Sequence, residues 1–251
     1  EFFFMLLSLK GKVVMVTGSA RRVGRAILLG FAEAGAHVIV HHAHSDADAE
    51  SAAAEARAFG VEALIVQGDY ADPAQIAANF AQIQARFGRL DGLVNSASLY
   101  ERADFLDLPA DEWRRVIDLN LTAPFLASQA AGRLMRDSGT GGVIINIADN
   151  SGVRPLAERP HHSVSKAALI HLTQVTALAL APYNIRANCI VLGPVLKEND
   201  RSAESWARTE AGLPLKRSGD PTDAARAALY LAANDFVTGA VLHVDGGEGL
   251  S

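Results

Sequence analysis

Thr17-Gly18-Ser19-Ala20-Arg21-Arg22-Val23-Gly24 stands between a valine-rich run and an amphipathic pattern. The run before it, residues 12–17, is apolar and β-branched and reads as a strand. The pattern after it, residues 22–34, sets Val23, Ala26, Ile27 and Phe31 at helical spacing. A glycine-rich turn from strand to helix lets a phosphate approach the backbone and meet the helix N-terminus. Two glycines alone say little; their place at the first strand-to-helix junction gives them meaning.

Outward from this turn the same alternation repeats. Further strands are expected at residues 37–41, 63–67, 90–95, 143–147, 186–191 and 241–244. Helical patterns fill residues 46–59, 73–87, 110–119, 123–137, 163–181 and 222–233. Short apolar strands separated by amphipathic helices predict one doubly wound parallel sheet, a Rossmann-type α/β fold with helices on both faces. No internal repeat and no linker divides the chain, so residues 1–251 read as a single domain. Residues 192–219 are the least regular and are expected to form a lid over the site, with a short helix around Trp206.

Composition agrees and excludes some functions. Of 251 residues, 49% are hydrophobic, enough to cover both faces of a buried sheet. The net charge is −5, with acids and bases interspersed, so no basic stripe for nucleic acid stands out. Outside the N-terminus, no run of about 18 uninterrupted apolar residues predicts a membrane span. Residues 1–7 are apolar but lack a basic flank and a long apolar core, unlike a signal peptide. Met5 is a candidate natural start, which would make residues 1–4 a cloning remnant. The one cysteine, Cys189, lies in an apolar run and reads as an inert core thiol. Its solitude favours a reducing, cytoplasmic setting.

The turn resembles that of the short-chain dehydrogenase/reductase family, Thr-Gly-x-x-x-Gly-x-Gly, and the resemblance runs along nearly the whole chain. Arg22 takes the place of the middle glycine, as in the pteridine reductases of that family. The resemblance implies a nicotinamide dinucleotide held by Gly18, Arg21, Arg22 and Val23. The second strand ends His41-His42-Ala43-His44-Ser45, with no carboxylate before Asp46 to bind ribose hydroxyls. Imidazoles, a hydroxyl and the nearby Arg22 suit a 2′-phosphate, so the expected cofactor is NADP(H), with His42, His44 and Ser45 beside it. A metal site from His41, His42 and His44 is not expected, because strand alternation splits them between faces. By resemblance Asp69 bonds the adenine; Asn95, Ala97 and Ser98 border the adenosine side; Gly193 and Val195 flank the nicotinamide.

The family's catalytic tyrosine stands four residues before a lysine on one helix face. Here the stretch reads His162-Ser-Val-Ser-Lys166. Lys166 matches the lysine and Asn120 the family's asparagine, which supports a relay water. Asp149 occupies the serine position, 13 residues ahead of His162. Aspartate there, and an aromatic at Tyr100 placed to stack on a flat ring, are again pteridine reductase traits. Neither Tyr70, Tyr100, Tyr183 nor Tyr230 lies near Lys166 in sequence. Three readings follow for the acid. His162 donates the proton itself; Asp149 or solvent donates it, as an imine or pterin substrate would tolerate; or chemistry is lost and NADPH binding serves another role, as in a sensor. The expected activity is reduction of a pterin or similar C=N substrate, with Tyr100, Asp149 and His162 against it. A carbonyl reductase is the alternative. By resemblance the chain forms a homotetramer through helices 123–137 and 163–181.

Overall fold

The computed structural model describes residues 9–197 and 201–250. The expectations for residues 1–4 and Met5, and part of the expected lid, fall outside them. Seven strands form one parallel sheet in the order β3-β2-β1-β4-β5-β6-β7. These are β1 (Val13–Val16), β2 (His37–His42), β3 (Ala63–Gln67), β4 (Gly92–Asn95), β5 (Gly142–Asp149), β6 (Ile185–Leu192) and β7 (Val241–Val244). The order reverses between β1 and β4, and the crevice at the strand C-termini there is where such sheets bind ligands.

The helices are α1 (Arg22–Glu33), α2 (Asp46–Ala58), α3 (Pro73–Phe87), α4 (Ala110–Ile117), α5 (Ala123–Asp137), α6 (Pro160–Leu180), α7 (Ala203–Gly212) and α8 (Pro221–Ala233). Alternation along β1 divides the core. Val14 and Val16 face Ile27, Leu28 and Phe31 of α1 and the alanines of α2 and α8. Val13 and Met15 face Ile76, Phe80 and Ile83 of α3 and Ala127, Ala131 and Met135 of α5. With both faces covered, β1 and β4 are buried at every residue, so they read as unbroken apolar runs. Local chemistry sets the helix ends. Asp72 caps α3 by accepting the Ala74 N–H at 2.9 Å, and Gly88 closes it at φ 67°. Asp220 and Asp223 form a reciprocal capping box at the start of α8.

The elements match the expected alternation but differ where the site lies. α6 begins at Pro160 rather than 163, because proline suits the first helical position; His161 and His162 therefore sit in its first turn. β5 runs on to Asp149, which places that side chain at the strand's mouth. The expected helix 110–119 stops at Ile117 and continues as a π-helical turn, Asp118–Thr122, that carries Asn120 into α5. α6 with the turn after it, Pro160–Tyr183, is long and apolar enough by length and composition to cross a membrane. Its Lys166, Leu169, Thr173 and Ala177 are buried in the fold, as in the core helix of a globular domain.

Candidate functional site

The glycine-rich turn is held from three sides. Thr17 Oγ1 accepts the N–H groups of Ser96 and Ala97 at 2.9 and 3.0 Å. Gly18 stands at φ 64°, and its N–H donates to His41 Nδ1 at 3.0 Å. His41 Nε2 lies 2.9 Å from the Gly68 carbonyl, so the proton sits on Nε2 and the ring bridges the turn to the end of β3. A Cβ on Gly24 would lie 2.4 Å from the Gly18 oxygen, so that close approach admits only glycine. Arg22 adopts φ 55°, the left-handed region that favours glycine, and its guanidinium reaches the Lys197 carbonyl.

His41 is therefore a structural ring that the sequence reading left without a role. Burial holds its pKa down to about 4, against the Gly68 hydrogen bond, which raises it. The unfolded chain binds this proton below about pH 6.5 and the folded chain only near 4. Stability is thus present above pH 6.5 and lost on acidification, by about 3 kcal/mol for a shift of this size. Chemical denaturation at pH 7 and pH 4.5 should show a smaller acid loss in His41→Gln than in the wild type. Equal losses would assign the effect elsewhere.

The adenosine side is only partly as expected. His42 is buried, with Nδ1 accepting the Ser45 N–H at 3.2 Å and lying 3.4 Å from Asp46 Oδ1, so its ring closes a local turn instead of facing outward. Arg21 is paired with Asp48, and His44 is exposed. Asp69 accepts the Ala71 N–H at 3.0 Å in a turn of its own. The Asn95 amide is committed to Asn146 and Ser128 within the core, leaving only its backbone for a ligand. Ser98 Oγ donates to Asn120 at 3.2 Å.

One cleft of about 910 Å³ gathers Arg22, Val23, Ser98, Tyr100, Asp149, His162, Lys166, Gly193 and Val195. At its floor His162 Nε2 meets Asp149 Oδ2 at 2.7 Å, and His162 Nδ1 meets the Leu99 carbonyl at 2.8 Å. Asn120 locks this loop: its Oδ1 accepts the Leu99 N–H, and its Nδ2 donates to the Leu99 carbonyl and to Ser165. His162 is 1% exposed, whereas the Asp149 side chain keeps 30% of its surface open. His162 lines the cleft with both ring nitrogens hydrogen-bonded, and the more open Asp149 carboxylate lies beside it. Burial pushes the Asp149 carboxyl up. The His162 hydrogen bond, the Lys166 charge and the Ser151 hydroxyl outweigh it and hold the pKa at about 2. Lys166 Nζ donates to the Ile147 carbonyl at 2.9 Å. Its burial lowers the ammonium pKa, against the opposing charge of Asp149. Cys189 is buried nearby, and burial pushes its thiol up to about 11, as suits an inert core residue.

Tyr100 stands edge-on to His162, with ring centroids 4.7 Å apart. One of its faces carries the Arg159 guanidinium, 3.6 Å from the ring centroid, which leaves at most one face for a stacked ligand. Arg159 was not anticipated; the available signal was its place just before the Pro160-His161-His162 helix start. His161, behind the cleft wall, forms with Glu101 and Glu112 a cluster whose ligand atoms lie within 4.8 Å of one another. Its Nδ1 accepts the His162 N–H at 3.0 Å, so the proton sits on Nε2, toward Glu112 at 3.5 Å. That tautomer offers no lone pair to a cation.

A family model described as enoyl-(acyl carrier protein) reductase matches residues 18–248. The chain is 39% identical over 246 residues to an L-rhamnose 1-dehydrogenase (NAD(P)(+)) of Sphingomonas sp. strain SKA58, covering 95% of this chain and 96% of the relative. A solved short-chain type dehydrogenase/reductase from Mycobacterium marinum superposes with a TM-score of 0.88 at 35% identity, covering 96% of each chain. The chain belongs to the short-chain dehydrogenase/reductase family. The pteridine reductase subgroup finds no support in these relatives, one of which is named for a sugar. A second L-rhamnose 1-dehydrogenase, from Azotobacter vinelandii, is 38% identical over 245 residues, covering 94% of this chain and 96% of that one. As a family member the protein is an oxidoreductase with a nicotinamide cofactor, and its residues fit one. α1 has no side-chain cap at its N-terminus, so its first N–H groups remain for a pyrophosphate, with Arg22 and Val23 on the cleft wall.

Proposed function

We propose that the protein interconverts a carbinol and a carbonyl on a small polar substrate, with the Asp149–His162 pair moving the proton. The 2.7 Å contact between these side chains at the cleft floor, four residues from Lys166, carries this reading. When bound, the nicotinamide supplies or accepts the hydride. Gly18, Val23 and the α1 N-terminus would hold its phosphates, Lys166 its ribose, and Gly193 and Val195 its nicotinamide end. His162 Nε2 faces the Asp149 carboxylate at 2.7 Å, and its Nδ1 lies 2.8 Å from the Leu99 carbonyl and 3.3 Å from the Asn120 amide nitrogen. In reduction the substrate oxygen takes a proton relayed through the open edge of Asp149, and solvent restores it. Oxidation runs the same path backwards. His162, at the place of the tyrosine in the family pattern it resembles, acts behind the carboxylate.

We favour this over a pterin substrate because Arg159 covers one face of Tyr100 and two of the relatives compared are named for a sugar. For the cofactor we favour NADP(H). The exposed Arg21–Asp48 pair holds together by about 1 kcal/mol or less and frees Arg21 for a 2′-phosphate. We also propose a homotetramer through α5 and α6, where Phe125, Val164, Val175 and Leu178 are exposed apolar residues that such an interface would cover.

Nicotinamide absorbance should be followed between pH 5 and 9 with deoxy-sugars, polyols, simple ketones and a dihydropterin. Turnover of a carbinol or carbonyl compound, faster with NADP(H) than NAD(H), is expected. Turnover of the dihydropterin alone would restore the pterin reading. Cofactor binding with no turnover would favour a binding role.

A further inference from the structure

Arg159 is a buried cation in search of an anion. It is 5% exposed, yet it lines the cleft. Its only side-chain hydrogen bond among the described residues runs from Nη1 to the Tyr100 carbonyl, 2.8 Å away, and it forms no ion pair there. The guanidinium has five N–H donors. Its unbonded nitrogens, Nε and Nη2, are not among the buried side-chain atoms without partners, which in the described residues are Asn150 Oδ1 and His161 Nε2. The remaining donors therefore open onto the cleft. The planar group is held flat on Tyr100 at 3.6 Å, so its orientation is fixed before any ligand arrives.

Among the described residues, none of the cleft's carboxylates pairs with it. Asp149 is committed to His162 and Ser151, and Glu248 binds Asn150. Glu158, exposed, forms no ion pair among the described residues. Arg102 and Arg154 add positive charge to the same wall, where they are exposed.

We infer that Arg159 is a specificity residue that binds a carboxylate on the substrate, so that this protein acts on hydroxy or oxo acids. The inference rests on Asp149–His162 being the site of proton transfer. Two legs, 3.6 Å from guanidinium to Tyr100 and 4.7 Å from Tyr100 to His162, bound the distance from the guanidinium to the His162 ring by their sum, and Asp149 Oδ2 lies 2.7 Å from that ring's Nε2. The carboxylate therefore lies only a few carbons from the reacting carbon. A planar fork matches a carboxylate in two parallel hydrogen bonds, which a lysine cannot reproduce.

The test uses matched acids and neutral compounds, glycerate with glycerol and gluconate with glucitol. Initial rates with NAD(P)+ and calorimetric titration of gluconate into the cofactor-bound protein are compared for wild type, Arg159→Gln and Arg159→Lys. Melting curves confirm that each variant is folded. The wild type should prefer the acid in each pair. Arg159→Gln should lower the acid-to-neutral ratio of kcat/KM roughly 100-fold, mostly through KM, with Arg159→Lys between the two. Gluconate affinity should fall in parallel. A wild type that prefers neutral substrates, or a ratio unchanged in Arg159→Gln, overturns the inference while the dehydrogenase reading stands. Gluconate binding that depends on Arg159 without turnover of any compound keeps the anion site and removes the proton-transfer reading.

Discussion

Asp149→Asn should reduce kcat by about 10²- to 10⁴-fold, the range that a positioned proton donor contributes. The amide keeps the shape of the carboxylate and can still meet His162 Nε2, 2.7 Å away, and the Ser151 N–H, 2.9 Å away. It cannot carry a mobile proton. Cofactor affinity should stay within about threefold, since Asp149 lies at the end of β5 and not at the α1 N-terminus. Steady-state rates and a cofactor titration check both halves. A variant that keeps its turnover would show that solvent protonates the substrate. The same substitution carries a signature in stability. The carboxyl is held at about 2, below its ordinary 3.8. Its contribution is therefore present above about pH 4 and disappears as pH falls toward 2. Stability measured at pH 7 should favour the wild type over Asp149→Asn by about 2 kcal/mol, and the difference should close at pH 2.

Gly24→Ala is expected to be strongly destabilising and to disable the phosphate turn. The new Cβ would meet the Gly18 oxygen at 2.4 Å, the Gly18 carbonyl carbon at 3.0 Å and the Ser19 Cα at 3.1 Å. All three belong to the turn's backbone, so no flexible side chain can yield. Overpacking costs about 1–3 kcal/mol where neighbours can adjust, and here the upper end applies. Melting should fall by roughly 6–12 °C at 2–4 °C per kcal/mol for a chain of this length. A displaced turn also cannot present the α1 N-terminus to a pyrophosphate. The melting temperature of the wild type should rise with added cofactor, and that of the variant should not. An alanine variant that melts with the wild type and still responds to cofactor would mean that the turn is looser than its geometry.

The alternation of strand and helix was readable because the central strands are buried on both faces and most of the helices bury one. Lys166 and Asp149 were readable for the same reason: one lies a helical turn after His162, the other at a strand end. What escaped the sequence depends on segments that meet only in space. The Leu99 carbonyl that occupies His162 Nδ1 arrives from the loop after β4, so nothing near His162 announces that its ring is enclosed. His41 and His42 looked alike as polar residues at a strand end. One bridges the turn to β3, and the other closes a turn with Ser45. The role of Arg159 appears only once Tyr100 is laid against it. The shift in the start of α6, by contrast, was within reach, since Pro160 marks a first helical position.

The π-helical turn between α4 and α5 sets the reading frame of the helices on either side. It accommodates a surplus residue that an α-helix of the same span would not hold. Deleting one residue from Asp118–Thr122 would let the hydrogen-bond ladder heal into ordinary α-helix. The helices on either side would keep their frame, because the wide turn already absorbs the extra residue, but the turn that carries Asn120 to the Leu99 loop would be lost. Insertions and deletions in the helix are thus gated at one place, and the residue that clamps the site stands on the hinge of that frame.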